Sequence, residues 1–187
     1  MLTLTAYDSF VDQLFEVMKR FTGALAQAGI EYRVIGGMAV MLHVRDRDPM
    51  AARLTNDVDA AVQRTDLPAI IRAVEPFGFT YRHVAGVDML VDSAKPTARS
   101  AIHLVFVGEK VRKEYPEPVP FSPPAKTVEG ALIAPVADLV RMKLTRFRLK
   151  DRVHLQDMDR VHLITPEIEA GLPEILRQRL AEVRATD

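Results

Sequence analysis

Asp57 and Asp59 stand one residue apart in the run Thr55-Asn56-Asp57-Val58-Asp59, twenty positions after the glycine pair Gly36-Gly37. In an extended chain, side chains two apart share a face, so this pattern presents both carboxylates together while Val58 and Val62 point elsewhere. Two like charges held side by side repel unless something binds between them. Paired hard oxygen donors suit Mg²⁺, which favours carboxylates, water and substrate phosphates over an all-protein cage. The glycines supply the anion side of the same chemistry. Tyr32-Arg33-Val34-Ile35 reads as a short strand and Met38-Ala39-Val40-Met41-Leu42 as the start of a helix. A strand, two glycines and a helix start leave backbone N–H groups bare and directed outward, toward phosphate oxygens. Taken singly, the glycines also fit a tight turn and the aspartates a solvated strand face. Their order and spacing favour a metal–phosphate site.

A second cluster lies far along the chain. Residues 141–152 hold Arg141, Lys143, Arg146, Arg148, Lys150 and Arg152 against the single acid Asp151. The chain as a whole is neutral, with 25 basic and 25 acidic residues, so this is a local concentration and not part of a global field. It fits a solvated helix face, a phosphate site, or a contact for an RNA backbone. Phe147 is the aromatic nearest to it, which is little for base stacking.

Val34-Ile35-Gly36-Gly37-Met38-Ala39 through Arg53-Leu54-Thr55-Asn56-Asp57-Val58-Asp59 resembles the polymerase-β-like nucleotidyltransferase superfamily. It is most similar to small bacterial members and to the toxin-type (AbiEii-like) branch linked to abortive phage infection. The resemblance is specific over residues 30–65 and weaker to about residue 160. It implies that Gly36, Gly37 and Thr55 bind the nucleotide and that Asp57 and Asp59 are catalytic and bind Mg²⁺, two ions with nucleotide bound. Lys143 would reach the phosphates, Lys150 and Asp151 would close a turn, and Asp157 would pair with a basic neighbour. The implied activity moves a nucleoside monophosphate from a nucleoside triphosphate to a hydroxyl on RNA, protein or a small molecule. A cognate antitoxin is the implied protein partner.

A two-metal transferase of this kind normally uses a third carboxylate on a neighbouring strand, a natural base for the attacking hydroxyl. The family pattern places it in the later strand 101–107, where this chain reads Ile102-His103-Leu104. Three readings stay open. His103 takes the acid's place, since a neutral imidazole ligates metals and accepts protons; Asp88 on the preceding strand is the third acid; or the site binds nucleotide without transferring it. A catalytically degenerate nucleotide-binding or toxin–antitoxin interaction module is therefore the alternative function.

The elements that must position these residues read as follows. A helical stripe runs over residues 8–28 through Phe10, Leu14, Val17, Met18, Phe21, Leu25 and Ala28, closed by Gly29. After the strand at 32–35 and a helix over 38–44, residues 45–49 read as a charged loop near the phosphate site. A strand over 57–62 leads to a helix ending at Gly78. Strands over 86–91 and 101–107 follow, joined by a polar turn at 93–97, and then a proline-rich connector over 110–126. One edge strand over 128–133 precedes helices at 136–148, 153–163 and 172–183, with Pro166 and Pro173 in first turns. This order predicts an α/β (α+β) fold: a mixed sheet with flanking helices on one side and a small C-terminal helical cap. The expected division is a catalytic domain over 1–134 and a helical region over 135–187 packed on it.

Composition sets the remaining bounds. The 187 residues are 48% hydrophobic and suffice for one core, and the lack of cysteine excludes disulfides and thiolate chemistry. No apolar run reaches the length of a membrane span, and Met1-Leu2-Thr3-Leu4-Thr5 does not read as the start of a signal peptide. A cytoplasmic protein without a membrane partner is expected.

Overall fold

The computed structural model describes residues 4–94 and 101–186. Helix α1 (Leu4–Gln27) buries Leu14, Val17, Met18, Phe21 and Leu25 along one stripe, the spacing that a helix of 3.6 residues per turn requires. Gly29, in the left-handed conformation, turns the chain into β1 (Tyr32–Ile35). Helix α2 (Gly36–Arg47) then begins on the first glycine, with every residue from Gly37 to Val44 buried. Such a helix has no solvent face. It packs against β1 and β2 on one side and the C-terminal helices α4 and α5 on another.

Strand β2 (Val58–Val62) leads through a 3-10 turn into α3 (Leu67–Val74). Gly78, left-handed at φ 82°, ends the helical run. The sheet continues with β3 (Phe79–Val84), β4 (Val87–Asp92), β5 (Ile102–Phe106), β6 (Lys126–Val128) and β7 (Ala131–Ile133). Seven strands form one mixed sheet in the order β3-β4-β5-β2-β1-β7-β6. β2 pairs parallel with β5 and antiparallel with β1, and β1 pairs parallel with β7. One face, carrying Tyr32, Val34, Val58, Ala60, Val62 and Ile102, is fully buried. Phe21 of α1 meets Tyr32 edge to face at 5.9 Å, which puts α1 on that side, and α3 packs against α1. Arg20 of α1 donates to Asp92 and lies over Phe79, fastening the β3–β4 hairpin to the helix.

Four differences from the sequence reading have physical reasons. Residues 45–47 are not loop but the last turn of α2, at the opposite end of that helix from the glycines. Arg45 stacks over Phe15 of α1 rather than facing the phosphate site. Strand β3 was not expected; it is an edge strand with only Phe79 buried, so it lacks alternation. The single edge strand at 128–133 is instead the hairpin β6–β7, turned at Glu129-Gly130 with both φ values positive, and β7 lies inside the sheet. The second C-terminal helix starts at Leu149, earlier than predicted, because its inward positions include Asp151, His154 and Asp157. Of the expected turn at 93–97, residues 95–97 lie outside the described residues.

The C-terminal helices are α4 (Val136–Arg146), α5 (Leu149–Arg160), α6 (Pro166–Ala170) and α7 (Glu174–Arg184). Asp138 in the first turn of α4 accepts from Ser122 N and Oγ at 2.9 and 2.8 Å, tying the proline-rich connector to the helix. Phe147 ends α4 in a left-handed conformation unusual for a bulky residue. The Arg152 and Arg179 guanidiniums both lie over its ring, and Arg179 donates to the terminal carbonyls of Leu144 and Thr145 at 2.7 and 3.0 Å. Those contacts satisfy carbonyls that a helix end otherwise leaves open. Among the described residues no helix is long and apolar enough to cross a membrane.

Arg179→Ala should therefore lower stability by about 1–3 kcal/mol in urea unfolding, since it strands two acceptors. Arg179→Lys should recover only part of that loss.

Candidate functional site

The site starts from one close approach. Ile35, the last residue of β1, sits opposite Asp59 in the antiparallel register. Gly36 follows at φ 71°, and a Cβ added there would fall on the Asp59 carboxylate. At Gly37 an added Cβ would overlap the Thr55 hydroxyl, with His154 on its other side. Both glycines are thus required by space, and Gly36 also by conformation. Ile35 stands at the N-cap of α2 without a side-chain cap, so no side chain of its own closes the first-turn N–H groups.

Asp57 precedes β2 and Asp59 lies within it, both half-buried. The parallel register sets Asp59 beside His103 of β5. His103 Nδ1 lies 3.4 Å from Asp59 Oδ1, and Lys150 Nζ of α5 lies 3.7 Å from Asp57 Oδ2. Burial pushes the Asp59 carboxyl up, but His103, Arg146 and Lys143 together hold it below its ordinary value. The hydrogen bond with Asp59 raises His103 above the usual imidazole value, against the effect of its burial. Asp88 lines the same cavity but does not join the Asp59–His103 pair. Its cross-strand partner is Leu104, on the opposite face from His103, and it accepts from Tyr81 at 2.5 Å and pairs with His83 at 2.9 Å.

Helices α4 and α5 form a cationic wall. Lys143 is 5% exposed and reaches Asp151 at 3.2 Å. Asp151, fully buried, also accepts from Arg148 Nε at 2.8 Å and from Arg148 N, capping α5. Burial lowers the Lys143 ammonium from its usual value although Asp151 and Asp59 oppose the shift. His154 is pushed down to about 4 by burial and by Lys143 and Lys150, so it is a neutral ring behind Gly37. Its Nδ1 meets no hydrogen-bond partner among the described residues. Asp157 is held by Arg53 Nε at 2.8 Å, which anchors the approach to Thr55.

Gly37, Asp57, Asp59, His103, Lys143, Arg146, Arg148 and Lys150 line one cavity of about 380 Å³, which extends toward Val105 and Glu109. Thr55 sits just beneath the glycines, where it accepts weakly from Asp57 N at 3.5 Å. Lys150 does not serve the turn alone: it reaches across to Asp57. Sequence reasoning gave no site role to Arg146, Arg148 or His154; the density of basic residues over 141–152 was the available signal for the first two.

Among the described residues no group of three or more His, Asp or Glu side chains is disposed to hold a metal ion. Asp57 and Asp59 nevertheless offer hard oxygens at the mouth of a cavity. Because Lys150 and His103 already face them, these donors fit a divalent cation best when phosphate brings further negative charge.

No protein-family model matches the chain. No curated protein sequence matches it either. A solved structure does resemble it: the solution structure of the antibiotic-resistance factor ANT(2'')-Ia superposes with a TM-score of 0.51 at 10% identity, over 95% of this chain and 85% of that one. At that identity the likeness speaks to fold alone. The architecture shared with that structure is a mixed α/β sheet with flanking helices.

Two measurements check the geometry. In an NMR titration without metal, His103 should protonate with a midpoint above 6.5, and Asp59→Asn should lower that midpoint by removing the hydrogen-bonded carboxylate. The pair accordingly contributes stability fully below the ordinary imidazole pKa and loses it as pH rises through the His103 midpoint. Gly36→Ala should cost at least about 1–2 kcal/mol from its left-handed backbone, and more from the overlap with Asp59, as read by urea unfolding.

Proposed function

We propose that this protein is a Mg²⁺-dependent nucleotidyltransferase that moves a nucleoside monophosphate from a nucleoside triphosphate to a hydroxyl acceptor. The observation that carries this reading is a single cavity: it joins the Asp57/Asp59 pair, the glycine start of α2 and the cations of α4 and α5. In this reading residues 1–134 carry the transfer chemistry and residues 135–187 supply the cationic wall.

Asp57 and Asp59 would hold the metal, which when bound with the triphosphate neutralises charge at the α-phosphate and templates an in-line displacement. Backbone N–H groups at Gly36-Gly37, seated on Thr55, would receive phosphate oxygens. Lys143 would add a fixed positive charge, its ammonium held by Asp151. His103 would act as the base: with Nδ1 turned to Asp59, its other nitrogen takes the proton of the acceptor hydroxyl. The hydroxyl oxygen bonds to the α-phosphorus, the bond to the β-phosphate bridge breaks, and pyrophosphate leaves. The toxin-like resemblance supports RNA or protein as acceptor, with a cognate antitoxin as regulator; the antibiotic-resistance neighbour supports a small-molecule hydroxyl. The rival reading, nucleotide binding without transfer, rests on His103 standing beside Asp59 where the family pattern has a carboxylate.

The test is thermal stabilisation by each of the four nucleoside triphosphates with and without Mg²⁺, followed by transfer of labelled α-phosphate. Mg²⁺ should add to the stabilisation, and that metal-dependent increment should need the aspartates and vanish in Asp57→Asn/Asp59→Asn. At a nucleotide concentration of 100 Kd the stabilisation should reach about 2.7 kcal/mol. His103→Asn should cut transfer by about a hundredfold or more while nucleotide still binds. His103→Asp should keep transfer and move its rising limb to lower pH, since a carboxylate sheds its proton earlier. Binding by the wild type with no transfer to RNA, protein or small-molecule hydroxyls would establish the rival.

A further inference from the structure

Helices α4 and α5 bring four cations to the cavity, and three of them are already engaged. Lys143 and Arg148 share the buried Asp151 at 3.2 and 2.8 Å, and Lys150 faces Asp57 at 3.7 Å. Arg146 differs. It is the last residue of α4 and lines the cavity, yet it forms no ion pair and no hydrogen bond among the described residues. Its Nε is shielded from solvent and meets no acceptor there. A shielded guanidinium donor without a partner is costly. Phe147, locked in the left-handed conformation under Arg152 and Arg179, ends the helix immediately after it.

We propose that Arg146 is the residue that receives the polyphosphate of the nucleotide, and that it does so without metal. A guanidinium presents parallel N–H donors that match two oxygens of one phosphate, which an ammonium cannot do. Lys143, fixed by Asp151, adds charge at short range, whereas its burial and existing partner leave it less free than Arg146 to follow a ligand. The preference for a polyphosphate over another anion rests on the nucleotidyl-transfer reading; the anion site itself rests on the unpartnered guanidinium and the cations around it. Anion binding would then come before, or together with, filling of the aspartate pair, because the phosphates cancel the cationic surplus that opposes a divalent ion.

The experiment is titration calorimetry of the full chain with inorganic tripolyphosphate in the presence of a chelator. The wild type should bind, and Arg146→Ala should weaken binding on the order of tenfold or more. Arg146→Lys, which keeps the charge and loses the fork, should restore only part of the affinity. Arg141→Ala removes a charge from the same basic stretch outside the cavity, where it pairs with Glu117, and should leave affinity within about twofold. Asp57→Asn/Asp59→Asn should bind metal-free tripolyphosphate at least as tightly as the wild type, since two repelling carboxylates are gone. Circular dichroism and thermal unfolding of each variant establish that it is folded, and Arg146→Gln provides a second neutral variant should the alanine not fold. Equal losses in Arg146→Ala and Arg141→Ala would overturn the proposal in favour of a diffuse basic surface, as would wild-type affinity in Arg146→Ala or no binding by the wild type. Arg146-dependent tripolyphosphate binding in a protein that transfers no nucleotide would leave this inference standing and remove the transfer reading.

Discussion

The contact between the Asp59 carboxylate and the backbone of Gly36 governs the rest of this structure. A side chain at position 36 would occupy the volume the carboxylate fills, so strand β1 can turn into α2 beside Asp59 only through glycine. That turn decides where the N-terminus of α2 points, and α2 in turn is buried on all sides by the sheet and by α4 and α5. The placement of the cationic wall therefore follows from a steric condition at one residue. Electrostatics then adjusts what sterics has placed: Asp59 is half-buried and would be uncomfortable as an anion without His103 and the more distant Lys143 and Arg146.

The wall itself is organised around a second buried carboxylate. Asp151 is removed from water and accepts from Lys143, from the Arg148 guanidinium and from the Arg148 backbone. A buried charge with this many donors serves position more than net stability. It holds two cations still, so their charges act at fixed points. His154, neutral and shielded beside Gly37, fills the space behind the helix start without adding a further charge there.

Much of this was legible in the sequence, for identifiable reasons. β1 and the start of α2 are short, uniformly apolar and punctuated by glycine, and the Asp-x-Asp pattern has a fixed meaning on an extended chain. The placement of His103 beside Asp59 is different in kind. It depends on a parallel register between β2 and β5, strands separated by a helix and a hairpin, and no local pattern encodes that register. β3 was missed because an edge strand with exposed Arg82 and His83 carries no alternation. Arg146 could not be distinguished from its basic neighbours, since its isolation depends on which of them Asp151 and Asp57 engage. The start of α5 was misjudged because its inward face is built from charged and polar groups, which hydropathy reads as outward.

The distances along the chain over which the site is closed bear on how it comes into being. Arg53 meets Asp157 across 104 positions, and the Tyr32 hydroxyl accepts from Leu132 N across 100. Contacts of this separation are late and slow to form, because the intervening loop must be closed before they give anything back. As the chain emerges N-terminus first, the glycines and aspartates appear before the wall that completes their cavity. A ribosome-bound fragment lacking α4 and α5 has the carboxylates but not the enclosure. Whatever chemistry the cavity performs is thereby withheld until α4 and α5 have been made.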